Sequence, residues 1–147
     1  MSDVRRVLTP ENTPDLILEA AAVLRAGGIV LVPTETVYGL VGADRPEVLD
    51  AMRAIKGDRG DKPFARLVSG LGEVEATGVI VTRPARALAE RYWPGPLTLV
   101  LDDADGVTHG FRAPGLPFAL ELVKAAGTPL VGTSANESNE PPPVDFE

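Results

Sequence analysis

Apolar residues follow two patterns along the chain: helical spacing in some segments and short continuous runs in others. Spacing of three or four positions is typical of amphipathic helices, and short apolar runs between turn residues are typical of strands. The pattern predicts helices over 13–26, 46–56, 84–92 and 117–126, and strands over 28–32, 64–68, 97–101, 107–112 and 129–132. Because helices and strands interleave, we expect an α/β fold with a twisted, open, mixed sheet.

Proline and glycine mark the ends of these elements. Thr13-Pro14 begins the first helix and Gly27 ends it. The run from Gly28 to Val32 has no polar alternation, which predicts a strand buried on both faces. The inward sides of the second and third helices are predicted to be Val48, Leu49, Met52 and Ile55, and Leu88, Ala89 and Tyr92.

Composition excludes several classes of site. The chain has 147 residues, no cysteine and one histidine, so a disulfide framework, a thiolate metal site and a site of several imidazoles are all excluded. We expect one domain over residues 1–136 and an acidic, proline-rich tail over 137–147. The chain has no signal-peptide pattern and no apolar run of membrane-spanning length, so we expect a cytoplasmic protein without membrane contact.

Charge is unevenly placed. The net charge of −7 argues against a protein that coats DNA. Residues 53–91 nevertheless hold eight Lys and Arg against five Asp and Glu. This basic segment predicts an anion site, with solvated helix faces as the alternative.

Two candidate segments follow predicted elements. Thr34, Thr36 and Tyr38 come directly after the first strand, where α/β sheets bind ligands, although a hydroxyl-rich capping turn is the alternative. The loop from Lys56 to Lys62 carries three cations that could clamp a polyphosphate, or that pair with Asp58 and Asp61.

A third segment, Ser134-Ala135-Asn136, follows the last strand and offers polar groups for a phosphate or a base, or forms an ordinary turn. Arg112 ends a predicted strand and is a candidate carboxylate partner. His109 is interpreted as structural, because no Ser-His-acid triad follows from the spacing.

Taken together, the ordered motifs resemble the YrdC/YciO family, whose enzymes are threonylcarbamoyl-AMP synthases. The resemblance runs from about Gly28 to Pro141. It includes the segments 28–40, Lys56-Gly57 with Lys62-Pro63, 93–98, 127–130 and Ser134-Ala135-Asn136. It implies a YrdC-like fold with a concave basic pocket, and a reaction of threonine, bicarbonate and ATP that releases pyrophosphate for modification of tRNA.

The resemblance also implies roles for individual residues. Catalysis falls to Lys56 and Arg59, and threonine binding to Thr36, Arg112 and Gly132. ATP binding falls to Lys62, Thr108, Ser134 and Asn136. Mg²⁺ accompanies the nucleotide without a protein metal site. We expect Thr36, Lys56, Lys62, Arg112 and Ser134 to converge on one concavity.

Some positions depart from the family pattern. Asp58 stands where the family has an arginine, and Leu67 stands where it has a histidine that contacts threonine. The family also continues for several elements after the Ser-Ala-Asn motif, so we expect one pocket wall to be incomplete. These departures predict reduced activity. The alternative is a non-catalytic member that binds a nucleotide or double-stranded RNA. The implied partners are tRNA and the proteins that help to modify it.

Overall fold

The computed structural model describes residues 9–33, 38–57 and 64–134. The helices are α1 (Thr13–Arg25), α2 (Pro46–Lys56), α3 (Leu71–Ala76), α4 (Arg83–Tyr92) and α5 (Pro117–Ala126). The strands are β1 (Val30–Pro33), β2 (Tyr38–Ala43), β3 (Ala65–Leu67), β4 (Thr98–Asp102), β5 (Thr108–Arg112) and β6 (Leu130–Ser134). Of these helices, α1, α2, α4 and α5 carry a proline in their first turn, where a missing N–H costs little.

The strands lie in a sheet with the order β1-β2-β6-β3-β5-β4. β3 and β5 are parallel, and the other neighbouring strands are antiparallel. The sheet is therefore mixed and open, with β1 and β4 at its edges. This architecture confirms the α/β expectation.

Helices cover the two faces of the sheet unequally. The front face, defined as the face under α1 and α5, contributes Val41, Leu67 and Leu130 to one apolar cluster. The alternate residues Leu40 and Val131 belong to the back face, where they pack with α2. On β5 and β4 the back face is covered by α3 and α4, with the residues Leu99, Leu101 and Phe111 beneath them.

The front face is open over β4. On β4, Leu99 and Leu101 point to the core of the back face, whereas the alternate residues Thr98, Val100 and Asp102 are exposed. Val100 is 66% exposed, which is unusual for a valine in a strand. Helices α1 and α5 therefore cover the front face at one end of the sheet and leave it open at the other end, over β4.

The structure differs from the sequence expectations in several elements. β2 and α3 were not predicted. The strand predicted over 28–32 begins at Val30 and lies at the edge of the sheet. Its side chains pack on both faces as predicted, with Val30 and Val32 in the apolar cluster of the front face and Leu31 in that of the back face. Only Val32 is fully buried, and its neighbours are half-buried.

The predicted inward sides of two helices also need correction. Ile55 is 53% exposed, and Lys56 takes the buried position one turn after Met52. In α4, Ala85 and Ala89 are buried, whereas Leu88 and Tyr92 are 42% and 47% exposed. Small residues at a spacing of four positions let α4 approach the sheet closely, and the larger side chains therefore lie at its margin.

Candidate functional site

A cavity of about 290 Å³ opens on the front face of the sheet and extends under α5. We name it the front cavity. Strands β1 to β6 each contribute to its wall or floor, and α5 closes one side. The described residues that line it are Val32, Tyr38, Gly39, Leu40, Val41, Ala65, Leu67, Thr98, Arg112, Pro114, Ala119, Leu122, Val123, Leu130, Gly132 and Thr133.

Arg112 supplies the charge among these described lining residues. It ends β5, where its register partners are Leu67 on β3 and Thr98 on β4. Its side chain is only partly exposed, and its Nε atom is buried. A guanidinium presents a planar fork of N–H donors that matches a carboxylate.

Gly132 brings the main chain of β6 to the floor of the cavity. A Cβ atom at this position would lie 3.1 to 3.3 Å from the side-chain carbons of Leu67. The side chain of Leu67 therefore packs over Gly132, and a larger residue at this position would displace it. The cavity combines an aliphatic wall and one guanidinium, which suits a small ligand with one carboxylate and an apolar part.

The structure places the predicted site residues at different distances from this cavity. Arg112, Gly132 and Tyr38 are among the described residues that line it. Ser134 ends β6 opposite Gly39. Thr36, Arg59, Lys62 and Asn136 lie outside the described residues, as does the tail predicted over 137–147.

Lys56, predicted to be catalytic, and Thr108, predicted to bind ATP, are not among the described residues that line the front cavity. Lys56 is 3% exposed on the inward side of α2, which covers the back face. Thr108 lines a second cavity of about 170 Å³. Convergence of all these residues, and a strongly basic pocket, therefore stay predictions.

His109 has a structural contact. Its Nε2 lies 2.9 Å from Oδ2 of Asp103, and Oδ1 of Asp103 accepts hydrogen bonds from the backbone N–H groups of Asp105 and Val107. The hydrogen bond from His109 is the main cause that lowers the pKa of Asp103, with the backbone bonds adding to it. This carboxylate organises the turn between β4 and β5.

Sequence reasoning missed the part of the cavity wall that α5 provides, namely Ala119, Leu122 and Val123. These residues read as ordinary core positions of an amphipathic helix. Within the ranges that the structure describes, no group of three or more His, Cys, Asp or Glu residues could hold a metal ion. No helix in those ranges is long and apolar enough to cross a membrane.

Comparisons with known proteins agree with this fold. The sequence model of the Sua5/YciO/YrdC family, described as "Telomere recombination", matches residues 22–147. A relative from Mycobacterium tuberculosis is 38% identical over an alignment of 151 residues, and this alignment covers 94% of this chain and 68% of that protein. The threonylcarbamoyl-AMP synthase of Bacillus subtilis is 36% identical over 92% of this chain and 42% of its own length.

Solved structures include a close neighbour with a bound amino acid. P. abyssi Sua5 complexed with L-threonine superimposes with a TM-score of 0.80 at 32% identity. The match covers 95% of this chain and 43% of that protein. The chain thus spans about two fifths of the length of the Bacillus and P. abyssi proteins.

Proposed function

The chain belongs to the Sua5/YciO/YrdC family, and we propose from this premise that it makes threonylcarbamoyl-AMP from threonine, bicarbonate and ATP. The name of the Bacillus relative and the threonine complex of P. abyssi Sua5 support the proposal. The observation that carries it in this chain is Arg112 in the front cavity, which Gly132 also lines. We assign this cavity to threonine.

Arg112 holds the carboxylate of threonine in this proposal. Two parallel N–H···O bonds from a guanidinium fix both the position and the plane of a carboxylate. The neighbouring Leu67, Leu130 and Val123 then face the β-methyl group and exclude water from it. Tyr38 and Thr133 also line the cavity.

The chemistry needs no nucleophile from the protein. The amine nitrogen of threonine bonds to the carbon of bicarbonate, a C–O bond breaks and water leaves, which gives a carbamate. A carbamate oxygen then attacks the α-phosphorus of ATP. The bond to pyrophosphate breaks, and pyrophosphate leaves. Catalysis then rests on holding the reactants together and neutralising the charge of the phosphates.

We assign the ATP side of the site to Lys56, Arg59, Lys62, Thr108, Ser134 and Asn136, on the strength of their motifs. Mg²⁺ enters with the nucleotide phosphates, since the described residues offer no metal cluster of their own. It supplies charge neutralisation on the phosphates. Transfer of the carbamoyl group to an adenosine of tRNA, with partner proteins, is the later step that the proposal implies.

Titration calorimetry with L-threonine tests the amino-acid site. We expect saturable binding, which Arg112→Lys weakens about tenfold or more, because lysine has one ammonium in place of the fork. Arg83→Lys, at an exposed position of α4, is the matched control and should bind as the unchanged chain does. Equal affinity of the Arg112→Lys variant, with its fold intact, would place the carboxylate elsewhere.

A further inference from the structure

The second cavity, of about 170 Å³, is the back cleft. Its described lining residues are Asp44, Leu49, Arg53, Phe64, Arg66, Thr108, His109, Gly110 and Val131. On β3 it is lined by Arg66, and on β6 by Val131, whereas the front cavity is lined by the alternate residues Leu67 and Gly132. Because alternate residues of a strand point to opposite faces, the two cavities lie back to back across the same two strands.

Two arginines and one carboxylate give the back cleft its charge. The formal charges of Arg53, Arg66 and Asp44 sum to one positive charge among the described lining residues. This balance differs from that of the whole chain, whose net charge is −7. A local excess of positive charge in a cavity concentrates anions there.

Both guanidiniums are held in place by neighbours. Nη2 of Arg66 donates to Oδ2 of Asp44 at 2.7 Å, and the two side chains are only 34% and 23% exposed. The guanidinium carbon of Arg53 lies 5.9 Å from the ring centre of Phe64, and its Nη1 donates to Asp50 at 3.3 Å. A guanidinium has five N–H donors, and each of these bonds uses one of them.

The size and the other donors of the cleft select among anions. The imidazole of His109 lies on the same face as Arg66 and lines the same space. Oriented guanidiniums are donors that proteins use for phosphate groups. The cavity is large enough for a phosphate group and too small for a whole nucleoside triphosphate.

We propose that the back cleft binds a phosphate group, carried either by inorganic phosphate or by a nucleotide, at a site separate from the front cavity. Arg53 and Arg66 hold its oxygens, and Asp44 positions Arg66. The proposal does not depend on threonylcarbamoyl-AMP synthesis, because it rests on Arg53 and Arg66, to which the proposed reaction assigns no role.

Amide NMR of the whole chain, titrated with inorganic phosphate, tests the site. We expect saturable shifts of the Arg66, Gly110 and Val131 amides, and a dissociation constant that Arg53→Gln raises about three- to tenfold, since Arg53 is half exposed. Arg83→Gln is the matched control and should leave the constant unchanged. Because a single variant could alter the cleft by unfolding, Arg53→Lys, which keeps the charge, should restore part of the affinity.

A parallel titration with AMP identifies the carrier of the phosphate group. Tighter binding of AMP at the same amides identifies a nucleotide, and equal binding identifies phosphate alone. The proposal is overturned by shifts that do not saturate, by shifts centred on Gly39 and Gly132, or by a constant that Arg53→Gln does not change. L-threonine should bind Arg53→Gln and the unchanged chain equally, which separates this test from that of the amino-acid site.

Discussion

Gly42 shows how closely a helix can lie on a strand that lacks a side chain. A Cβ atom at this position would lie 2.6 Å from Cγ1 of Val48 and 2.8 Å from Sδ of Met52, both on α2. We expect Gly42→Ala to lower the free energy of unfolding by about 1–3 kcal/mol, because the added methyl group overpacks a filled core.

Urea unfolding measures this change, with Gly72→Ala as the control. Gly72 lies in α3, and an added Cβ there meets nothing within 4 Å. Alanine has the higher helix propensity, so we expect Gly72→Ala to raise the stability by up to about 1 kcal/mol. Equal effects of the two substitutions would contradict the close packing of α2.

Asp103 gives the stability of the chain a dependence on pH. Its pKa is lowered in the folded state, chiefly by the hydrogen bond from His109. Because the carboxyl pKa is lowered on folding, the stabilising contribution of Asp103 is fully present above the pKa of the unfolded state, about 3.9. It is lost as the pH falls through the pKa of the folded state. We therefore expect Asp103→Asn to destabilise the chain at neutral pH, and the difference to shrink below about pH 4.

Unfolding curves of the chain and of Asp103→Asn, measured from pH 7 down to pH 2.5, check this expectation. Asp105→Asn, at an exposed position of the same turn, should stay within about 0.5 kcal/mol of the unchanged chain at pH 7. A stability difference for Asp103→Asn that grows toward acid pH would show that the sign is wrong.

On the scale of the elements, two arginines cap the carboxyl ends of two helices. The guanidinium of Arg45, just before α2, donates to the last carbonyls of α1, at Leu24 and Arg25. Arg25 in turn donates to the last carbonyls of α5, at Ala125 and Ala126. Cations at the carboxyl ends of helices satisfy open carbonyls and oppose the helix dipole.

Removing one of these arginines should therefore destabilise the front layer. We expect Arg45→Met, which keeps the length of the side chain, to cost about 1 kcal/mol of unfolding free energy. Arg83→Met is the control, because Arg83 begins α4, where a cation faces the positive end of the dipole. A loss in Arg83→Met as large as that in Arg45→Met would contradict the capping role.

The elements that the sequence predicted are those with clear ends. α1, α2 and α5 each have a proline at the start and a glycine soon after the last residue. β2 was missed because it has two glycines among six residues and is buried on both faces at most positions, so it shows no alternation. α3 was missed because six residues without a side-chain cap give almost no periodic signal.

Motifs in the sequence named candidate residues for the site, whose roles stay predictions, but not the residues that lie beside them in space. Motif resemblance pointed to Arg112 and Gly132, and both line the front cavity. Leu67 lies beside Arg112 because β3 pairs in parallel with β5. Two helices and a strand separate β3 from β5 along the chain. Sequence spacing does not report such a non-local pair.

On the scale of the whole molecule, the sheet carries two cavities with different chemistry on its two faces. The front cavity is aliphatic with one guanidinium, and the back cleft has two arginines and a carboxylate. The front cavity defines the threonine half of the proposed reaction. Asp58, at the position of a family arginine, and Leu67, at the position of a family histidine, predict that the reaction is slow, because a lost charge-stabilising donor typically costs roughly a hundredfold in rate.

Formation of threonylcarbamoyl-AMP from threonine, bicarbonate and ATP, followed together with pyrophosphate release, tests the central claim most directly. We expect product only when all three substrates are present, at a turnover below about one per second. Arg112→Gln should lower the rate about a hundredfold or more, and Arg83→Gln should not change it. Pyrophosphate release that does not require threonine, or that Arg112→Gln leaves unchanged, would contradict the proposed role of the front cavity.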